Sequence, residues 1–465
     1  MEVIMDSNNE LKRSMKSRHL FMIALGGVIG TGFFNGSGYT ISQAGPIGAV
    51  LSYIVGGIVM YLVMLCLGEL TIANPSSGSF QDYATRFIGP GTGFMVGWLY
   101  WFGWAATVAL ELLTIGATMK RWFPSVDIWV WSLLFGVILF LVNAFSARSF
   151  AETEFWFAII KVSMIVLFIL IGAIAIFGII PLRGESVGFS YLVKDGIFPN
   201  GFVPILMTMI AVNFSFQGTE LVGIAAGESE NPKKTLPKAI NQTVYRTILF
   251  FGLAIAVLVC LVPWQQAGVV ESPFVAAMDK IGIPYAADIM NFVIITALLS
   301  VGNSGLFAAT RILYSLSKNG MAPKMLGKVT SRGIPFWALV GSMFVAGLSL
   351  LTAKYAADTV YMWILSISGT TAVIAWMAIA ASQYFFRRKY LAEGGKVTDL
   401  SFRTPLYPFV PIVAFILNAI VMLSQVLDPE TALSVYLGIP AIVLMYIIYY
   451  VFVDKRRKRN LNFDK

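Results

Sequence analysis

Very few residues in this chain could carry out covalent or metal chemistry. There is one histidine, His19, and there are two cysteines, Cys66 and Cys260, both inside apolar runs. That leaves no disulfide framework, no Cys-rich metal site and no His-pair zinc site, and little scope for His-based catalysis. What remains is charge placed in apolar surroundings. Lys161 stands in EFWFAIIKVSMIVLF, Glu111 in VALELLTIG, and Glu220 directly after the polar run NFSFQGT. Groups of this kind bind ions and move protons when they lie inside a membrane, where an ionisable side chain is costly unless it works.

The composition calls for such a membrane. Of 465 residues, 57% are hydrophobic and only 12% charged, against roughly 45–50% and about 25% in soluble domains. A span needs about 20 mostly apolar residues to cross about 30 Å of hydrocarbon. Candidate spans fall near 20–42, 47–72, 92–119, 127–146, 153–180 and 203–227. Six more fall near 241–263, 286–313, 335–352, 358–384, 407–427 and 432–453, which makes twelve. With the N-terminus inside, 25 of the 33 Lys and Arg lie in inner regions and six in outer loops, while Lys161 and Arg246 fall within spans. This bias places both termini in the cytoplasm of a multi-pass plasma-membrane protein. The basic run at 455–459 beside the last span reads as a lipid-surface anchor, and no nucleic-acid partner is expected. The organisation is then a tail (1–19), a ten-helix core (20–384), a cytoplasmic loop (385–406), two further helices (407–453) and a basic tail (454–465). The N-terminal basic-then-apolar pattern lacks a small-residue cleavage site and is expected to be retained.

Two spans are interrupted. GGVIGTGFFNGSG, Gly26 to Gly38, holds six glycines in thirteen residues, each costing roughly 1 kcal/mol in a helix interior. The sixth span is broken by Asn213 to Glu220. Non-helical backbone survives in hydrocarbon only where it lines a cavity or is buried in protein, and paired interruptions at matching positions point to a transporter's binding site. A half-helix starting near Thr31 offers bare N–H groups to a carboxylate. One ending near Phe214 offers carbonyls to an ammonium. Together they suit an amino acid. Glycines that merely permit close helix packing are the plainer alternative.

Lys161 lies about eight residues beyond the inner end of the fifth span, roughly 12 Å deep. An amine there could take up and release a proton during transport; snorkelling to the inner surface is the alternative. Ser300, Asn303 and Ser304 sit at similar depth and are its candidate partners, or ordinary interhelical glue. Glu220 is a candidate proton sensor. Glu111 is a further proton-coupling candidate that could also contact substrate or fit a structural or gating role, and Glu69, near an inner end, fits an interfacial and structural one. Phe214, Phe216, Trp101 and Trp104 could cap a pocket by stacking.

Four long segments, LKRSMKSRHLFMIALGGVIGTGFF, PSSGSFQDYATRF, FSFQGTELVGIAAGESENPKKTLPKAI and NSGLFAATRILYSLSKNGMAPK, carry a resemblance to the amino-acid permeases of the amino acid–polyamine–organocation superfamily. The likeness spans nearly everything from Lys12 to Phe452 and is nearest to the bacterial branch that includes S-methylmethionine permeases. It implies an all-α membrane fold of twelve helices: a five-plus-five inverted repeat with broken first and sixth helices, plus two extra. It also implies that Ile29, Gly30, Thr31 and Gly32 hold the substrate carboxylate, and that backbone carbonyls of Asn213, Phe214 and Ser215 hold the amine, with Phe214 as a gate. Lys161 matches the fifth-span lysine that replaces a sodium ion in proton-coupled relatives. Gly103 and Thr107 would face the substrate side chain, with Ser366 and Ser368 near the tenth span. Many relatives have Asn at the position of Gly103 and His at that of Gln383, so Gly103 is expected to leave more room beside the substrate.

The expected function is proton-coupled import of an amino acid, without a cofactor: a neutral apolar one, methionine or S-methylmethionine. An exchanger or a cationic permease of the same fold is the alternative. A channel or a nutrient-sensing receptor would use similar features. GESVG at 184–188 formally fits a nucleophile elbow but has no strand–turn–helix context, so no enzyme is expected. The sequence says nothing of oligomeric state.

Overall fold

The computed structural model describes residues 22–23, 26–145, 147–179, 188–229, 232–268, 272–350 and 357–455. The 1–19 tail with His19, Arg183, Lys354, most of GESVG and most of the basic run at 455–459 lie outside the described residues, as does the side chain of Arg246.

The described chain is built from helices. The first glycine-rich segment gives four non-helical residues at 27–30 and then α1 (Thr31–Phe34) and α2 (Gly36–Ala73). From Thr31 to Ala73 the run is 43 residues, roughly 64 Å at 1.5 Å per residue, about twice the hydrocarbon thickness. It bends inside α2 at Gly45, whose φ of +73° precedes Pro46. That left-handed conformation is open to glycine at little cost, and proline cannot donate to the preceding turn.

Next come α3 (Pro90–Met119), α4 (Ile128–Phe145) and α5 (Ala147–Ile176). The sixth expected span is three pieces, α6 (Val203–Met207), α7 (Met209–Phe216) and α8 (Leu221–Ala225). Then follow α9 (Pro232–Leu261), α10 (Pro273–Ile281), α11 (Ala286–Lys318), α12 (Phe336–Leu350), α13 (Ala357–Ala392), α14 (Phe409–Ser424) and α15 (Ala432–Ile448). Among the described residues, nine helical segments are long and apolar enough to span a membrane, and two shorter apolar helices accompany them. The inner loop expected at 385–406 begins later, because α13 continues to Ala392 with Lys389 in its last turn, where a cation favours the carbonyl end of the helix dipole.

Burial separates centre from periphery. The apolar window of α11 is 94% buried and that of the α15 segment 11%. α3 packs on α4, α11 and α12, while α2 packs on α7 and α9; α5 and α13 touch members of both groups. The two interruptions meet between these groups. A Cβ on Gly218, φ +106°, would lie 2.3 Å from the Gly27 carbonyl oxygen, and one on Gly32 would strike Phe214 and Ser215. Only glycine lets the two breaks approach so closely.

Candidate substrate-binding site

The gap between the breaks is closed down to about 10 Å³, room for about one water and far under the roughly 300–1,000 Å³ of most small-molecule sites. Gly30 and Gly32 face it from the first break, Phe214 and Gln217 from the second. On α3, Trp104, Thr107 and Glu111 line it, spaced three, four and seven apart and hence on one helical face. Glu111 is the one charged side chain in the lining.

Glu111 sits where the substrate carboxylate was expected. The Thr31 N–H donates to both its oxygens at 3.3 Å, and the Thr31 hydroxyl donates to Thr114 Oγ1 at 3.0 Å. A carboxylate at bare helical N–H groups is favourable electrostatics. The protein's own acid therefore holds the half-helix start.

Lys161 is fully buried, which overturns the snorkelling alternative. Its Nζ donates to the Gly26 carbonyl, to the Ile29 carbonyl at 3.3 Å and to Ser300 Oγ at 2.7 Å. It also lies 3.9 Å from Glu154 Oε1, likewise fully buried, and Ser300 donates to that same oxygen. The ammonium thus ties α5 and α11 to the carbonyls freed by the first break. Ser300 is a true partner. Asn303 instead accepts from Asn143 Nδ2 at 2.8 Å, and Ser304 Oγ has no hydrogen-bond partner; both stand beside Glu154 rather than Lys161.

Glu220 does not face the cavity. Its Oε1 accepts from Tyr100 at 2.7 Å, its Oε2 from Trp376 Nε1 at 3.2 Å, and both oxygens from the Gly218 N–H. It braces the second break against α3 and α13. Phe214 reaches the cavity and also an apolar cluster with Tyr39, Leu110, Met362 and Leu365. Phe216 packs away from it, against Tyr53 and Phe251. Ser215 Oγ lies 3.0 Å from the Tyr53 hydroxyl, and the Asn213 side chain is buried without a partner. Trp101 donates to Ser342 instead of capping the cavity.

Gly103 departs from expectation. A Cβ there would lie 1.9 Å from Thr371 Oγ1, and the Gly103 carbonyl accepts from Ser368 Oγ at 3.2 Å and Thr107 Oγ1 at 2.9 Å. The space left by glycine is filled by α13, so it gives the substrate no extra room. Ser366 is buried with its hydroxyl unpaired.

Two functional side chains were missed in the sequence. Glu154 lies seven residues before Lys161, two turns along the same face, a spacing that could have revealed it. Gln217 was passed over among the break's backbone groups. Glu69 is structural: it is buried, paired with Arg387, and accepts from the Thr404 N–H at 2.6 Å. A second buried pair, Arg311 with Glu228 at 2.7 Å, joins α11 to the turn after α8.

A family model described as Amino acid permease matches residues 19–462. Amino-acid permease RocC of Bacillus subtilis (strain 168) is 60% identical over 451 residues, covering 96% of each chain. A putative histidine permease of the same organism is 52% identical over 448 residues, 96% of this chain and 94% of that one. Lysine-specific permease LysP of Escherichia coli (strain K12) is 42% identical over 455 residues, 94% and 93% of the two chains. Neither the S-methylmethionine branch nor an apolar or methionine-like substrate gains support from these relatives.

Proposed function

The chain belongs to the amino acid permease family, and from that premise we propose that it is a proton-coupled, alternating-access importer of a cationic amino acid. One observation carries the substrate class. The only charge lining the cavity is the Glu111 carboxylate, which favours a ligand of net positive charge. Two of the relatives above are named for histidine and lysine, which favours the same reading.

The binding step follows from the contacts. The cavity is too small for an amino acid as it stands, and Glu111 occupies the Thr31 N–H. An incoming cation draws the carboxylate away, and the freed N–H groups of Thr31 and Gly32 take the substrate carboxylate. Carbonyls at the end of α7, from Asn213 to Ser215, take the amine. Phe214 closes the outer side.

Coupling is assigned to Lys161. Its positive charge attracts the Gly26 and Ile29 carbonyls and Glu154. Loss of the proton weakens all three and loosens the inner part of the first span, so the group around α2, α7 and α9 can rock against the group around α3, α11 and α12. We read the helices as twelve passes in an inverted repeat with cytoplasmic termini. A monovalent cationic substrate moving with one proton carries two charges, about 4.6 kcal/mol per 100 mV, which supports roughly 2,000-fold accumulation.

The test is uptake into proteoliposomes under an inward proton gradient, with lysine, histidine, methionine and leucine as separate labelled substrates. Lysine or histidine accumulates in wild type, and Lys161→Ala keeps exchange but loses accumulation. Accumulation of leucine or methionine alone would overturn the cationic assignment.

A further inference from the structure

Gln217 is the first residue of the second break, with φ −59° and ψ 138° where α7 ends. It is only 3% exposed, yet neither its Oε1 nor its Nε2 has a hydrogen-bond partner. Leaving both ends of a buried amide unpaired is costly, and such a group in a cavity wall stands ready for a ligand. The cavity already described is the one it faces.

Position says which part of a ligand it would meet. With the cytoplasmic termini proposed above, α3 runs outward from the basic inner face, so Glu111 lies toward the outside, Thr107 a turn below it and Trp104 lower still. The distance from Trp104 to Glu111 is about 10.5 Å along the helix axis. α7 runs the other way, so Gln217 lies inward of Phe214. The substrate's carboxylate and amine belong with Thr31, Gly32 and the α7 carbonyls at the outer end. Its side chain then points inward, toward Gln217. Thr107 has given its hydroxyl proton to the Gly103 carbonyl, and the Trp104 Nε1, unpaired like the Gln217 amide, is a donor only. Gln217 is left as the side-chain amide at that end whose oxygen is free to accept.

We propose that Gln217 is the specificity-determining residue for the far end of the substrate side chain, its amide oxygen accepting from a nitrogen-bearing cationic tip. Glu111 supplies the charge of the pocket and Gln217 supplies the directional contact. The assignment rests on the transport reading above and adds a residue to it.

The test uses the full-length chain in proteoliposomes, wild type and Gln217→Leu, with lysine and norleucine as probes. The two ligands share the same carbon chain and differ in that norleucine carries a hydrogen where lysine carries the terminal ammonium. Loss of one hydrogen bond to a charged group raises the half-saturating lysine concentration about tenfold to a hundredfold, while norleucine competes as well as before or better. Gln217→Glu should restore lysine over norleucine. Equal shifts for both ligands, or no shift for either, would overturn the proposal and leave the amide a holder of water. Melting temperature is measured alongside, and Gln217→Leu is expected to fold, since it removes unpaired polar atoms. If wild type takes no basic amino acid, the cationic reading falls by itself. Gln217 is then judged by whether Gln217→Leu alters the preference between glutamine and norleucine; an unchanged preference rejects it.

Discussion

Replacing Lys161 with methionine keeps the stem and deletes the ammonium, which exposes how the first break is held. Four contacts are lost at once in a fully buried site: the counter-charge of Glu154, the donors to the Gly26 and Ile29 carbonyls and the donor to Ser300 Oγ. Removing one partner of a buried ion pair costs about 3–5 kcal/mol, mostly from the stranded charge. Each orphaned carbonyl is worth about 1–3 kcal/mol unless the glycine-rich backbone relaxes toward another donor. Glu154→Gln alone strands the opposite charge and should cost a similar amount. In the double variant Lys161→Met with Glu154→Gln no charge is stranded, so only the carbonyl loss remains. The double variant should therefore be more stable than Lys161→Met by about 2 kcal/mol or more, the signature of coupled sites. Thermal unfolding in detergent, followed by tryptophan fluorescence, reads the four corners of the cycle. Additive losses would refute the idea that Glu154 is the counter-charge, and an unchanged Lys161→Met would refute the buried hub.

Four shorter predictions follow from the same contacts. Glu69→Gln should destabilise by about 3–5 kcal/mol in the same melting assay, since it strands buried Arg387. Gly103→Asn should lower folded yield or transport, because its Cβ must displace Thr371, and Thr371→Ala should relieve it in part. Glu111→Gln should weaken lysine binding about tenfold or more while sparing norleucine, measured by competition. Glu228→Gln should strand Arg311 where α11 meets the end of the broken span; faster efflux from loaded vesicles is the expected readout, and unchanged efflux would mean the pair does not close the inner side.

The parts of the fold legible in the sequence were those with a local cause. Apolar runs of about 20 residues gave the helices, and the glycines of GGVIGTG and the polar run after Val212 marked the two breaks. That the breaks touch at Gly27 and Gly218 follows from long-range packing that no local pattern records. The candidate site divides in the same way. Lys161 stood out because charge in hydrocarbon is conspicuous, and Ser300 followed from depth. Glu154 was hidden near a helix end, where a carboxylate looks ordinary, and only its two-turn offset from Lys161 pointed to a shared face. Gly103 misled because an absent side chain was read as space for substrate, whereas Thr371 of a helix some 270 residues later fills it. Gln217 was masked by the backbone chemistry of its neighbours.

If one cationic amino acid and one proton cross together, two charges must move with each substrate molecule. Current across a proteoliposome-coated supported membrane, compared with labelled lysine uptake in the same preparation, gives charges moved per lysine. Wild type should move two charges per lysine, and Lys161→Ala, which only exchanges, should give no net current. One charge per lysine in wild type would contradict proton coupling, and saturable current with norleucine but none with lysine would contradict the cationic substrate.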